Sequence, residues 1–505
     1  MSENLKKYYQ NTYSGTFLVC VAILPMSETI ALRNILLVFM LLMLALGNIF
    51  SQEIRRDSMG AAKLLPLPLV LWLFYLCLFP LWAPMPGIAW ANLRGQWGES
   101  IVAWVAGFGA VVILGRRGPG LLQLAYASAF PLFVHLVLSV LAFVGVFSPD
   151  FYQPYTNWSM AQLLAEIHIW LSGGFAGLQP YHPIDAGFHG IEVMSGNLGY
   201  PSSVAIALFI SQLFKNRNKG SMASMLSCLV AIGLLFLSLI IVRSRGGTAF
   251  GLMLLVLGLL WGGFNRVFGG GRFIKEYVGY GNIAKLAAVP LLGILLLGAV
   301  GYQAMRVDSR WIQMADKIQA GFMVVDPVST LCRGLSPDEE LLIRARFAGS
   351  TPAHADDIIQ SIENGDGGRV ILMRAGLKLA LDNPWGLDGS RQSYERLMEM
   401  KCQGSPKLNY AHSHNSWLDI SMAMGWISVI LFASVFIQFF MAAAKKMYSY
   451  EGEDMNMALG LLAFFWFVRG FFDSLFREHY LEMQALLMIY IYFMGLRPIS
   501  KAKQV

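Results

Sequence analysis

The sequence predicts an all-α polytopic membrane protein with about twelve transmembrane helices and a large external helical loop subdomain between spans nine and ten. Of its 505 residues 56% are hydrophobic and 14% charged, where a soluble domain carries about 25% charged residues. Apolar runs near the roughly 20 residues needed to cross about 30 Å of hydrocarbon recur throughout, and mean hydropathy is +0.53. Basic residues of the short connections collect at alternate ends of these runs, which sets an orientation. The short alternating strands of a β-barrel are absent from the pattern.

Taken in order, the chain opens on Met-Ser-Glu-Asn-Leu-Lys-Lys, which lacks a cleavable signal pattern, so the first span is expected to remain in the protein. Spans are expected at 15–30, 32–50, 64–83, 99–115, 121–146, 199–214, 222–242, 247–264, 286–302, 416–443, 456–475 and 481–496. Lys6, Lys7, Arg55, Arg56, Lys63, Arg116, Arg117, Lys445, Lys446 and the basic carboxy-terminal tail fall on one side, and the opposite short connections hold Arg33 and Arg94. Both termini are therefore expected in the cytoplasm. The net charge of +7 is distributed over these loops and does not form a nucleic-acid surface. Cys20, Cys77 and Cys228 lie in apolar runs and are expected to be packing residues.

Two external segments stand out. Residues 147–198 contain no Lys or Arg and are rich in Trp, Tyr, Gly and Pro. Residues 303–415 are balanced in charge and read as a small helical subdomain with helices over Arg310–Val324, Pro337–Phe347 and Gly368–Leu381, the last stopping at Asp382-Asn383-Pro384. The chain thus divides into 1–302 with spans one to nine, the loop subdomain 303–415, and 416–505 with spans ten to twelve and a cytoplasmic tail. Cys332 and Cys402 both fall in the loop subdomain. An oxidising compartment would allow a disulfide between them, which sequence leaves open because it does not give their separation.

The residues that carry chemistry gather at the external ends of spans. His412, His414 and Asn415 lie at the mouth of span ten, in Tyr-Ala-His-Ser-His-Asn-Ser-Trp. Polar groups are costly in apolar surroundings and make sense at the water boundary. A metal site using this pair with His354, Asp356 and Asp357 competes with a satisfied interfacial role, but the spacing is not the i, i+4 of zinc proteases. Acid–base work is the third reading, suited to imidazole. Arg243 and Arg245 close span seven in Val-Arg-Ser-Arg-Gly-Gly-Thr. Snorkelling explains a lone arginine there, while two glycines beside Arg245 suit a tight turn over a phosphate. Arg369 and Arg374 sit on the helix before Asn383-Pro384, where solvated charges are the plain alternative. Arg469 and Asp473 are spaced to pair on one helix face, and Arg477 and His479 follow them.

Four features together resemble the O-antigen ligase and polymerase superfamily of bacterial envelope glycosyltransferases, most closely its ligases. These are His414-Asn415 with Gly425 following, Ser244-Arg245-Gly246 opening a span, Arg369 on a helix ending near Asn383-Pro384, and the order of spans and external loop. The chain departs from the family in having Trp385-Gly386-Leu387-Asp388-Gly389 where Gly-Xaa-Gly is usual, and Ser428 three residues after Gly425.

The resemblance implies an undecaprenyl-pyrophosphate-linked glycan as donor and lipid A–core as acceptor, in lipopolysaccharide biosynthesis at the periplasmic face of the bacterial inner membrane. It implies no cofactor, no metal and no nucleic acid, with membrane lipids around the spans. Related enzymes polymerise O-antigen or exopolysaccharide repeats, or glycosylate proteins. Because the leaving pyrophosphate gains negative charge, fixed cations must stabilise it. The expected catalytic residues are His414 as base with Arg245 and Arg369, and the expected substrate-binding residues are Arg243, Arg374, His412, Asn415, Arg477 and His479. A lipid-linked glycan transporter, the rival class, would place its polar groups near the bilayer midplane.

Overall fold

In the computed structural model the described residues are 3–26, 29–143, 199–219, 222–241, 244–268, 298–299, 301–302, 311, 313–347, 352–408, 410–446, 453–475 and 478–496. The segment 147–198, expected to be external, and nearly all of the expected span 286–302 lie outside them. Among the described residues the fold is all-helical. The first part contains α1 (Glu3–Ile23), α2 (Ile30–Phe50), α3 (Gln52–Ala62), α4 (Leu67–Leu78), α5 (Pro86–Asn92), α6 (Gly98–Leu114), α7 (Leu121–Phe143), α8 (Gly199–Lys219), α9 (Met222–Ile241) and α10 (Arg245–Phe268).

Five helices, Ile30–Phe50, Pro86–Leu114, Ala223–Ile240, Arg245–Gly262 and Trp426–Lys445, are long and apolar enough to cross a membrane. A sixth results if Gln52–Ala62 and Leu67–Leu81, bent by 95°, form one span. Shorter apolar helices at Leu121–Val134, Gly199–Phe214 and Tyr480–Leu496 coincide with three further expected spans. The protein is therefore a helical membrane protein, with five to six candidate spans by length and composition among the described residues against the twelve expected for the whole chain.

Burial sorts these helices. From Val204 to Ile210, α8 is buried on all sides, as expected of a helix apolar all round. It packs against α7, α9 and α10. By contrast α2 exposes Leu32, Ile35, Phe39 and Leu42, and α9 exposes Leu226, Leu229 and Leu237, surfaces suited to lipid. Arg33 is buried and donates to the Leu24 carbonyl at 3.0 Å, closing the end of α1. Cys20 and Cys228 are buried, whereas Cys77 is exposed on α4. A thiol on an apolar outward face needs no packing partner, so the expectation for Cys77 is corrected.

The loop subdomain has its own hydrophobic core, including Val324, Ile343, Ile358, Ile371 and Leu397. Its helices are α11 (Met314–Met323), α12 (Pro327–Arg333), α13 (Pro337–Phe347), α14 (Pro352–Asn364), α15 (Asp366–Asp382) and α16 (Ser393–Cys402). Three of these, α12, α14 and α16, were not expected from sequence. Of these α12 and α16 are short, with 7 and 10 residues, and α12 begins on a local signal. For α12, Asp326 accepts from Val328 N at 3.2 Å with Pro327 in the first turn, where a missing N–H costs nothing. For α13, Ser336 and Glu339 form a capping box: Ser336 N donates to Glu339 at 3.0 Å and Glu339 N to Ser336 Oγ at 3.3 Å.

Cys332 and Cys402 form a disulfide between α12 and α16, with Cα atoms 5.3 Å apart across 70 residues of sequence. Closing so long a loop restricts the unfolded chain, so replacing both cysteines by serine is expected to cost about 2–4 kcal/mol. Limited proteolysis of the purified protein with and without reductant checks this: faster cleavage within 313–408 in the variant, matched by reduced wild type, is the expected result.

The remaining helices are α17 (Ser416–Met424), α18 (Trp426–Lys445), α19 (Glu453–Arg469) and α20 (Glu478–Leu496). The apolar run expected as one span at 416–443 is broken at Gly425, which has φ +84°. The physical reason is the loop after α15. It folds over the end of α17, where Leu387 N and Gly389 N donate to the Ala423 carbonyl at 3.1 and 2.9 Å, and Trp426 N donates to Pro384 O at 3.0 Å. A Cβ on Gly386 would lie 2.5 Å from Gly425 N, so two positive-φ glycines meet where neither tolerates a side chain. The five-residue stretch that departs from the family pattern thus supplies two left-handed glycines, Gly386 (φ +79°) and Gly389 (φ +69°). Tyr75 donates to Met424 O at 2.6 Å and Trp97 to Gly389 O at 2.7 Å, fastening this junction to the membrane bundle.

Candidate active site

The segment Tyr410–Asn415 lies along α15. A Cβ on Gly368 would meet the Tyr410 hydroxyl at 3.5 Å, and one on Gly376 would meet Ser413 Cβ at 2.8 Å. At 1.5 Å per residue these glycines are about 12 Å apart on the helix. Burial, then the Glu363 carboxylate, push the Tyr410 phenol up, so it remains a hydroxyl donor at neutral pH.

His414 adopts φ +55°, a left-handed conformation uncommon outside glycine. Its neighbours hold it there. Ser413 donates through both N (3.0 Å) and Oγ (2.7 Å) to Asp419. Asn415 caps α17 by accepting from Leu418 N at 3.1 Å and donates to Phe471 O at 3.2 Å. The rings of His412 and His414 lie 4.3 Å apart. Ser416 N donates to Gly470 O at 2.8 Å, and Leu475 N donates to Ser416 Oγ at 2.6 Å, which draws the turn after α19 onto the histidine segment.

That turn carries Asp473. Its Oδ1 stands 3.9 Å from His414 Nδ1, and its Oδ2 accepts from Tyr200 at 2.6 Å and from Arg469 at 3.2 Å. The pairing of Arg469 and Asp473 read from their spacing is present, although the helix itself ends at Arg469. Burial works to raise the Asp473 carboxyl, but the imidazole of His414, the guanidinium of Arg469 and the Tyr200 hydroxyl hold it well below the usual carboxylate range. For a depressed carboxyl the stabilisation is complete above the unfolded value of about 3.9 and is lost as pH falls through the folded value. The pair therefore stays ionised throughout neutral and mildly acidic conditions.

Arg469 is buried, with its guanidinium 4.8 Å from the ring of Tyr200 and 4.7 Å from that of Phe250. It lies against the start of α10, where a Cβ on Gly246 would approach its Nη1 to 2.6 Å. Its Nε and Nη1 reach no hydrogen-bond partner among the described residues. Ser244 caps α10, with Gly247 N donating to its Oγ at 3.3 Å. A helix start directs free N–H groups and a positive dipole end outward.

Arg245, the first residue of α10, makes a two-pronged pair with Asp366 at 2.6 and 3.0 Å. Asp366 opens α15, the helix that carries Arg369. The tertiary fold thus joins two distant arginine motifs. Arg369 is exposed. Arg374 faces elsewhere: its Nη1 donates to the carbonyls of Gly321, Phe322 and Val324 at 3.1, 3.3 and 2.6 Å, closing the end of α11. Arg243 and Arg477 lie outside the described residues, as does the side chain of His479. The groups weighed as further metal ligands are committed: His354 to Asp316 at 3.2 Å, Asp356 to Arg344 at 2.6 Å and Asp357 to Lys317 at 3.0 Å.

Asp366, Tyr200 and Asp419 were missed in the sequence. Asp366 carried a weak signal, an acidic residue in a first helical turn. Tyr200 and Asp419 carried none, since their partners come from distant elements. The arrangement offers an imidazole held beside a carboxylate, and a group of guanidinium ions at a helix start. This suits proton removal next to a developing anion.

The role of Asp473 is open to direct measurement. Tyr200→Phe removes one hydrogen bond and is expected to cost about 1 kcal/mol of stability. Asp473→Asn leaves Arg469 buried without a counter-charge, with an expected cost of about 3 kcal/mol. If Asp473 positions His414, this variant loses about tenfold to a hundredfold in kcat with the donor KM unchanged. A variant that only loses stability and keeps kcat removes that role.

The family model described as O-antigen ligase matches residues 220–433. This stretch takes in Arg245, Asp366, Arg369, the histidine segment and Gly425, and stops before Arg469 and Asp473. No curated protein matches the chain.

Proposed function

We propose that the chain is a member of the O-antigen ligase superfamily, whose family model matches residues 220–433, and that it transfers a glycan from undecaprenyl pyrophosphate to a hydroxyl of lipid A–core at the periplasmic face of the bacterial inner membrane. His414 takes the proton of the acceptor hydroxyl as its oxygen attacks the anomeric carbon. The bond from that carbon to the pyrophosphate oxygen breaks, and the lipid pyrophosphate leaves with the electron pair. Direct attack inverts the anomeric configuration. Arg245, with the start of α10 and Arg369, stabilises the leaving charge. Arg243, Arg477 and His479 complete the substrate surface in this reading. Asn415 and His412 hold the base in place, and Arg374 serves by fixing α11 to α15.

The observation that supports this best is the unbroken series of contacts from His414 through Asp473 and Arg469 to Gly246, beside Arg245. A base and a cationic leaving-group site must be neighbours, and this series of contacts supports that reading. The test is transfer by purified protein from undecaprenyl-pyrophosphate glycan to lipid A–core in the presence of a chelator. Loss of activity on chelation contradicts the metal-free mechanism. Growth of glycan on the donor alone, without transfer to core, assigns the protein to the polymerases instead.

A further inference from the structure

Helix α15 is tied at both ends to the starts of candidate spans. At its start Asp366 holds Arg245, the first residue of α10. At its end Pro384 O accepts from the backbone N–H of Trp426, the first residue of α18, at 3.0 Å, and the Trp426 indole donates to Ala380 O at 3.2 Å. Its 17 residues reach about 25 Å at 1.5 Å each. A helix fixed at both ends in this way runs along the bundle rather than away from it.

One face of this helix is apolar and uncovered. Leu377 and Leu381, four residues apart and so on one side, are both exposed, and Trp385 just past the helix is 65% exposed. The end of α11 lies beside them. Arg374 holds the Phe322 and Val324 carbonyls and Lys378 reaches Asp326 at 3.4 Å, which sets the exposed side chains of Phe322 and Val325 next to the turn that carries Leu377. The other end of the strip meets a span. Trp385 packs on Gly425, where a Cβ would lie 2.9 Å from Trp385 Cα. Directly after Gly425, Ile427 and Ile430 are exposed on α18, which is long and apolar enough to cross a membrane. The uncovered apolar surface of that span therefore continues onto the loop subdomain. Exposed apolar patches of this kind mark interaction surfaces, and tryptophan favours the boundary between acyl chains and water.

The charges beside the strip are already committed. Lys378 pairs with Asp326, Lys401 pairs with Asp382 at 2.7 Å, and Arg374 donates to backbone carbonyls. The strip thus offers an apolar face to acyl chains and little to an anionic head group.

We infer that Phe322, Val325, Leu377, Leu381 and Trp385 form a docking face for the acyl-chain boundary of the bilayer, so that the loop subdomain rests in the membrane surface instead of standing in water above it. The contact holds α15, and with it Asp366 and Arg369, in place along the spans. It goes beyond glycan transfer and does not depend on it.

Depth-resolved fluorescence decides it. Full-length protein with Cys77→Ala, which removes the one exposed free thiol among the described residues, receives an environment-sensitive label at Leu377→Cys, at Leu381→Cys, or at Gln360→Cys on the exposed side of α14. Each is placed in nanodiscs that hold one copy. An interfacial apolar face lies about 5–10 Å deep, so lipid brominated near its head group is expected to lower emission at 377 and 381 about twofold relative to 360. Equal quenching in neutral and anionic lipid is expected. Quenching no stronger than at 360 overturns the docking face. Quenching confined to anionic lipid assigns the contact to head groups and overturns it too. Short-wavelength emission at 377 and 381 without quenching shows that another segment of the chain covers the strip, which also overturns it.

Discussion

His414→Asn is expected to reduce glycan transfer by about 10²–10⁴-fold, the usual contribution of a positioned acid–base group, while the protein remains folded. Asparagine is the informative choice because His414 sits at φ +55°. Asn, like His, is enriched in that conformation, whereas Ala is not and would confuse loss of chemistry with loss of fold. The imidazole makes no hydrogen bond through Nδ1 to any described residue, but it supports the ionised Asp473 carboxyl, so stability is measured beside activity. Transfer assayed under saturating donor and acceptor, beside a thermal melt, gives the result. Activity within threefold of wild type, with an unchanged melt, would remove His414 as the base.

The second expectation concerns Arg245 and Asp366. Arg245→Ala is expected to lower kcat by about 10²–10³-fold, as for loss of one donor to a developing anion. The same change strands Asp366, whose side chain is 12% exposed, so stability falls as well. The swap Arg245→Asp with Asp366→Arg separates the two effects. It rebuilds the ion pair and should recover most of the stability. It also moves the guanidinium from the start of α10 to the start of α15, off the site beside Gly246. A folded, inactive swap is therefore expected. If the swap restores transfer, the pair is a structural link and the leaving group is stabilised elsewhere.

The departures from expectation share a cause. The end of α17 was hidden because Met422-Ala423-Met424 and Trp426-Ile427 continue the apolar pattern across Gly425, and only the approach of Gly386 shows why the helix must stop. The helices α12 and α16, of 7 and 10 residues, are too short for periodicity to be persuasive, although Asp326-Pro327 marked the start of α12 in advance. Arg374 and Arg369 look alike on one helix. One closes α11 and the other faces outward, a distinction made by α11 and absent from α15 itself.

What the sequence by itself determined was the chemistry that depends on composition and order: an all-helical membrane protein, and a set of arginines followed by a His-Asn pair at helix ends. Hydrophobic transfer acts on each apolar run locally, so those runs are legible one at a time. What only the tertiary structure decided was pairing. Asp366 meets Arg245 across 121 residues, Tyr200 meets Asp473 across 273, and Cys332 meets Cys402. Ion pairs, hydrogen bonds and disulfides act over a few ångströms between groups of any sequence separation, so their partners exist only once the helices have packed.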